Sequence, residues 1–283
     1  MIDLHLHTTA SDGKLTPAAL VALAAQAGLR VISVTDHDTV AGLDEAHDAA
    51  ARHGIRVVDG IEITAIERGR DVHVLGYFFD RRNAPLASFL EAQRADRIDR
   101  VREIAERLRT LRCEVDVEAI IQRACRDGGR SVGRPLIADA LIAAGHAVDR
   151  RDAFDRLLGN RGPAYVPRRG PSVERVAAVV DAAGGLTALA HPGLIGLDDE
   201  IPRFIENGIS AIEARHREHD ASAEKRYREL AHALGVAVSG GSDFHGEPGT
   251  ELGVITLAAE DFELLEALPL RLRSGRTRLD AST

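Results

Sequence analysis

Apolar and polar positions follow two different periods along this chain. The opening "IDLHLH" alternates at every second residue, which predicts a strand with Leu4 and Leu6 on one face and His5 and His7 on the other. "TPAALVALAAQAG" changes to a helical period and brings its own boundaries, with Thr16 as N-cap, Pro17 in the first turn and Gly28 as the stop. "RVISVT" predicts a second strand, residues 42–53 a second helix, "RVVDGIEIT" a third strand and "DVHVLGYFF" a fourth. Strands alternating with helices imply a parallel sheet or barrel with helices outside.

The rhythm breaks from Pro85 to about Arg161, where only helical patterns occur: "LASFLEAQRADRIDRVREIAERLRTL", "VDVEAIIQRAC", "RPLIADALIAAG" and "RDAFDRLLG". Dense Arg and Glu on the first predicts a solvated face. Residues 84–161 are therefore expected to form an all-α insertion, a substrate cap, in a barrel domain made of residues 1–83 and 162–283. The tract "GNRGPAYVPRRGPS" leads back to the barrel. Alternation then resumes with "SVERVAAVVDAAGG", "LTALAHP", "DEIPRFIENG", "ISAIEA", "ASAEKRYRELAHALG" and "VAVSGGSDFH", and "ELGVITL" and "EDFELLEAL" follow. Seven or eight strands suit a closed (β/α) barrel better than a small open sheet.

Composition narrows the partners. The 283 residues are 45% hydrophobic and 28% charged, ordinary for a folded domain, and the net charge of -8 gives no electrostatic grip on a DNA duplex. Aromatics are 4% with no Trp, which argues against an extended base-stacking platform. A small anion stays open, because bound cations invert the local field. Cys113 and Cys125 have no CxxC partner and read as reduced, packed thiols. Without a signal-like start or an apolar run of the ~20 residues a membrane span needs, a cytoplasmic protein is expected, with no membrane and no obligate protein partner.

The chemistry-bearing residues fall at the ends of the predicted strands. His5 and His7 end the first, with Asp12 in the following loop. "TDHDT" places Asp36, His37 and Asp38 after the second, and Glu62 ends the third. His73 is on the fourth, His191 ends "LTALAHP", and Asp243 and His245 end "VAVSGGSDFH". In a parallel barrel these ends share one face. Taken singly, His73 or His191 reads as a buried hydrogen-bonded imidazole and Asp12 as a turn residue. Six of the twelve histidines with several carboxylates at one mouth would repel or lie unsatisfied without shared cations. Nine N and O donors exceed one zinc site and suit two or three divalent ions, with manganese, zinc and iron all compatible. His47, His53, His146, His219 and His232 read as surface residues.

"DLHLHTTASDG", "TDHDT", "GIEIT", "DVHVLGY", "AHP" and "GGSDFHG" together resemble the polymerase-and-histidinol-phosphatase (PHP) family, over nearly the whole chain. The resemblance implies a distorted (β/α)7 barrel with a trinuclear site. His5, His7, Glu62 and Asp243 would hold one ion. Glu62, His73 and His191 would hold a second, and Asp12, His37 and His245 a third. "GRSVGRPLIADAL", "AYVPRRGPS" and "AGGLTALAHPG" resemble the bacterial branch that removes the 3′-phosphate from nucleoside 3′,5′-bisphosphates, relatives of which trim short RNA from the 5′ end. Leu136, where many members have His, and "EARHREHD" depart from that branch's pattern.

The expected reaction is attack on phosphorus by a hydroxide bridging two of the ions, most readily manganese. The third ion and His37 would neutralise developing charge, and Asp12, His191, His245 or a metal-bound water would protonate the leaving oxygen. A bisphosphate needs a second anion site, and "GGRSVGRP" offers glycine N–H groups and a helix start. Arg130, Ser131 and Arg134 are the expected grip, with Arg168, Arg169 and His216 behind them. Asp12, His37 and His245 would also touch the substrate. Rival readings are a histidinol-phosphate phosphatase, a 5′→3′ exoribonuclease on short RNA and a non-catalytic metal-binding module. A cyclic amide hydrolase is the last, and it would want a carboxylated Lys that Lys14 and Lys225 are poorly placed to supply.

Overall fold

In the computed structural model, which describes residues 1–126 and 130–268, seven strands form one sheet in chain order. They are β1 (Ile2–Leu6), β2 (Val31–Val34), β3 (Arg56–Glu67), β4 (Arg70–Tyr77), β5 (Leu186–Leu189), β6 (Ala211–Arg215) and β7 (Ala237–Gly240). The last strand returns to the first. The N–H of His7 donates to the carbonyl of Phe244 (3.0 Å), and Leu6 and Phe244 form a parallel bridge. The sheet thus curls into a distorted (β/α)7 barrel. Across it, the Tyr77 hydroxyl on β4 donates to the Leu4 carbonyl on β1 (3.0 Å) and lies 3.1 Å from Ser239 Oγ on β7.

The strands are not all parallel. β1–β2–β3 and β5–β6–β7 pair in parallel, but β4 runs antiparallel to both neighbours. Only Arg68 and Gly69 connect Glu67 to Arg70, both with positive φ (48° and 73°). That two-residue hairpin leaves no length for a crossover helix. His73 consequently reaches the mouth from the first half of its strand, not from its C-terminal end as a parallel barrel requires. "ELGVITL" forms no strand among the described residues. Leu257 makes one bridge to Ile2, so the strand count is seven.

Helices α1 (Pro17–Gln26) and α2 (Leu43–His53) cover the barrel near β1–β3, and Thr16 caps α1 by accepting from the N–H of Ala19. α3 (Ala84–Thr110) opens the helical block, followed by α4 (Val117–Arg126), α5 (Arg134–Ala143), α6 (Arg150–Ala153) and a π turn, Phe154–Leu158. α7 (Val173–Ala182), α8 (Pro192–Ile195), α9 (Ile201–Glu206) and α10 (Ala221–Leu234) return to the barrel. α3 belongs to two cores. Leu86 and Leu90 pack with the barrel's apolar shell, whereas Val101, Ile104 and Leu108 pack with Ile121, Ile137 and Leu158 of the block. Ala164 and Val166 join that second core, so its packing runs past Arg161. No helix among the described residues is long and apolar enough to cross a membrane.

Candidate metal centre

Five imidazoles surround one carboxylate. Glu62 Oε2 lies 2.9 Å from His37 Nδ1, 3.3 Å from His7 Nε2 and 3.5 Å from His5 Nε2. Its Oε1 lies 2.8 Å from His73 Nδ1 and 3.1 Å from His191 Nε2. Asp243 Oδ1 is 3.4 Å from His5 Nε2 and 3.2 Å from His7 Nε2. Asp12 joins from the β1 loop, 3.3 Å from His245 Nε2 and 3.7 Å from His37 Nε2. All nine residues expected as metal ligands therefore meet at one mouth. One donor atom apiece clusters within 4.8 Å in several overlapping groups, among them His7–Asp12–His37–His245, His5–His7–Glu62, His37–Glu62–His73 and His5–His191–Asp243.

The local sequence builds this convergence. Strand alternation turns His5 and His7 the same way. A Cβ on Gly13 would lie 2.5 Å from the His7 carbonyl oxygen, and one on Gly241 2.4 Å from His5 Cβ, so only glycine permits these approaches. Asp36 orders the β1 loop, accepting from the N–H (2.8 Å) and hydroxyl (2.6 Å) of Thr8 and the hydroxyl of Ser11 (2.6 Å), and thereby delivers Asp12. His191 (φ 26°) and Asp243 (φ 50°) are held in the left-handed region that non-glycine residues rarely occupy.

The centre is layered. His5, His7 and Glu62 are buried at its floor, while the side chains of His37, His73, Asp243 and His245 keep 14–26% exposure at the rim. Burial opposes charge throughout, yet the groups hold one another ionised. Against desolvation, Glu213, Asp243 and Glu62 hold His5 well above the ordinary imidazole range, and Asp243 and Glu62 push His7 up to about 10. His37 and His73 hold Glu62 well below the carboxylate range, His5 and His245 do so for Asp243, and His37 and His245 for Asp12. For His37 burial prevails and its pKa falls.

A test of fit to cations comes from unpartnered atoms. His5 Nε2, both ring nitrogens of His7, His37 Nδ1, His191 Nδ1 and Glu62 Oε2 are buried without a directed hydrogen bond. Buried polar atoms without partners are costly. Imidazole and carboxylate donors at this spacing fit divalent cations, with no thiolate among them.

Beside the mouth lies a basin of arginines. Asp38, next to His37, accepts from Arg97 Nε (2.5 Å) and Arg168 (2.5 Å), and its pKa is driven down by them against its burial. Arg97 also donates to Thr64 Oγ1 (3.2 Å), the register partner of His73. Arg100 donates to the Val166 carbonyl (2.9 Å), and Arg134 to Asn160 Oδ1 (3.0 Å) and Asp71 Oδ2 (3.4 Å). Arg100 and Arg134 flank the Tyr165 ring, at 5.8 and 5.6 Å. Burial and the charges of Arg134 and Arg168 lower Arg100 to about 10, still cationic at neutral pH. Arg100 NH2 and Arg168 Nε are buried without partners.

Several expectations change. The Arg-rich face of α3 is not simply solvated, since Arg94 and Arg97 reach Asp38 of the barrel and Arg100 reaches the Val166 carbonyl. Ser131 is buried, its N–H bonded to the Ala10 carbonyl (2.9 Å), which docks the helical block on the β1 loop. Arg130 is half-buried, Arg169 is exposed, and Gly128 and Gly129 lie outside the described residues. Arg168 is engaged on Asp38 with its side chain only 5% exposed. His216, expected at the substrate, is fully buried beneath the centre with Nε2 3.5 Å from Asp243 Oδ2, so it supports rather than contacts. His219 is buried rather than superficial. It donates from Nδ1 to the Ala214 carbonyl (2.9 Å) and accepts the Gly193 N–H at Nε2 (3.2 Å), a structural role for a neutral ring. Glu213, Arg97 and Arg100 were not among the expected site residues, and Asp38 was placed after the second strand without a role. The available signals were an acid closing the apolar strand "ISAIEA", a second acid in "TDHDT", and arginines three apart on α3.

A seven-strand barrel with nine imidazole and carboxylate donors at one mouth defines a barrel protein with a candidate metal centre. The PHP domain matches residues 3–235, and the chain belongs to that family. Three curated relatives cover most of it. The 3′,5′-nucleoside bisphosphate phosphatase of Chromobacterium violaceum is 31% identical over 89% of this chain and 90% of its own. The 5′-3′ exoribonuclease Rnm of Escherichia coli is 32% identical over 89% and 87%. The phosphoribosyl 1,2-cyclic phosphate 1,2-diphosphodiesterase of Eggerthella lenta is 35% identical over 87% and 95%. Among solved structures, a candidate metal-dependent phosphoesterase from Bifidobacterium adolescentis superposes with a TM-score of 0.85 at 34% identity, covering 93% of this chain and 95% of its own.

Proposed function

We propose that this chain is a metal-dependent phosphomonoesterase that removes the 3′-phosphate from nucleoside 3′,5′-bisphosphates, leaving a nucleoside 5′-monophosphate and phosphate. The observation that carries this reading is a site in two parts, a crowded donor cluster and a group of arginines held on Asp38, beside His37, and on Thr64, opposite His73, with unpartnered guanidinium N–H groups on Arg100 and Arg168. In this reading His5, His7, Glu62 and Asp243 hold one divalent ion, Glu62, His73 and His191 a second, and Asp12, His37 and His245 a third, with manganese the first candidate. Bound ions lower the pKa of water and neutralise phosphoryl oxygens.

The chain's own residues supply the rest. The rim groups His37, His73 and His245 are the ones exposed enough to meet a phosphate. His245, 3.3 Å from Asp12, would be neutral as a ligand of the third ion, so the proton for the leaving 3′-oxygen would come from water acidified by the ions. Arg100 and Arg134 receive the 5′-phosphate through charge-assisted hydrogen bonds, and Tyr165 between them offers a flat apolar surface. Ser131 to Ala10 and Arg150 to Glu247 (2.5 Å) tie the helical block to the barrel. Phosphate release on the manganese-loaded enzyme tests this, comparing adenosine 3′,5′-bisphosphate, 3′-AMP, 5′-AMP, histidinol phosphate, a short 5′-phosphorylated RNA and a ribose cyclic phosphate. Strong preference for the bisphosphate over 3′-AMP is expected. Preference for the RNA or the cyclic ester would replace the assignment with one of the relatives' activities.

A further inference from the structure

Glu213 lies in the middle of β6, is fully buried, and spends each oxygen on a different residue of the centre. Its Oε1 lies 2.9 Å from His5 Nδ1, and its Oε2 accepts the backbone N–H of His191 at 2.7 Å. These two residues belong to the donor sets of two different ions in the reading above. We propose that Glu213 is a positioning residue for the metal centre, fixing the ring tautomer of His5 and the backbone of His191 at once and thereby coupling two ion sites.

An ionised carboxylate only accepts hydrogen bonds, so the His5 nitrogen facing it carries the proton. The lone pair then stays on Nε2, the buried, unpartnered nitrogen that faces Glu62 and Asp243. His191 needs the second oxygen for another reason. Its φ of 26° is strained for a residue with a side chain, and it precedes Pro192, which has no N–H. A charge-assisted bond from its own amide anchors that conformation and so aims its ring at Glu62. Asp12, His37 and His245 make no contact with Glu213 among those described, and the proposal leaves their set independent.

The test is Glu213→Gln, which keeps the shape but offers one acceptor oxygen where two N–H groups point. Manganese content and affinity are read by elemental analysis after desalting and by titration, without reference to turnover. Outer partners of ligand histidines are typically worth roughly 10–100-fold in metal affinity. The expected result is a weakening of that size for part of the bound metal, while the fraction held by Asp12, His37 and His245 is retained. In wild-type protein loaded with diamagnetic zinc, ¹⁵N NMR of the His5 ring should show the proton on Nδ1, a readout that needs no variant. Unchanged metal content in Glu213→Gln, uniform loss of all ions, or a proton on His5 Nε2 would each overturn the coupling while leaving the metal centre intact. A wild-type protein that retains no metal would overturn both readings together.

Discussion

On the helical block, Arg102 Nε and Glu118 Oε1 lie 2.7 Å apart with both side chains about half exposed. At the barrel mouth, His37 Nδ1 and Glu62 Oε2 lie 2.9 Å apart, with the carboxylate 1% exposed. The distances are nearly the same, and the consequences are opposite. The outer pair is hydrated with or without its partner, so its attraction is screened and mostly replaceable by water. The inner pair is one contact in a set with too few protons and too little water, where each unpartnered nitrogen is a cost until a cation takes it. Burial, more than residue type, separates a decorated surface from a site.

The largest effect tests the crowd itself. Glu62→Gln removes the charge shared by five imidazoles, and bound metal should be lost together with turnover by more than the roughly 100-fold that an outer partner costs. Elemental analysis alongside kcat decides it, and full metal content with full activity would end the reading of Glu62 as the common ligand. Next is the basin. Arg134→Ala should raise KM for adenosine 3′,5′-bisphosphate by roughly 10–100-fold, the worth of a hydrogen bond to a charged group. KM for an aryl phosphate, which has nothing to place there, should stay put. Equal losses on both substrates would mean that Arg134 serves the block's packing instead.

Most of the barrel and all nine donors were legible in the sequence, because strand ends and side-chain alternation are local properties that "DLHLH" and "GGSDFH" display directly. What escaped depended on direction and burial. β4 was taken as one more parallel strand, although the Arg68–Gly69 pair between β3 and β4 already left too little chain for a helix. Arg97 and Arg100 share α3 with exposed residues such as Glu103 and Arg109, and spacing alone does not say which side of a charged helix faces a carboxylate like Asp38. Glu213 and His216 lie four and one residues before the charged run at residues 217–220, and only the fold shows them sealed beneath the mouth.

A smaller effect sharpens the contrast through pH. In metal-free protein, imidazoles with raised pKa values, His5, His7 and His245, contribute stability that is fully present below the unfolded value of about 6.5 and is lost as pH rises through the folded value, about 10 for His7. The depressed carboxylates Glu62, Asp12 and Asp243 contribute stability present above about 4 and lost as pH falls through their folded values. His37, lowered, favours its neutral form and adds to the loss on acidification. Metal-stripped protein should therefore melt highest between about pH 4.5 and 6.5 and decline above that range. Metal ligation requires neutral imidazoles and releases protons, so added manganese should make melting temperature climb from pH 6 to 8 instead. Thermal melts with chelator and with manganese measure both slopes, and identical slopes would contradict the shared-cation account.

The smallest effect belongs to the surface. Arg102→Ala removes the bidentate contact to Glu118, with Arg102 donating from Nε at 2.7 Å and from its NH2 group at 3.3 Å. It touches neither the mouth nor the basin. The lost attraction is replaced by water on both groups, and the freed Glu118 side chain regains rotamer freedom. Melting temperature, metal content and KM should all match the parent within measurement scatter. A clear loss of metal in Arg102→Ala would mean that the helical block transmits its surface charges to the barrel mouth, and the division between wet and dry pairs drawn from burial would then fail at its simplest point.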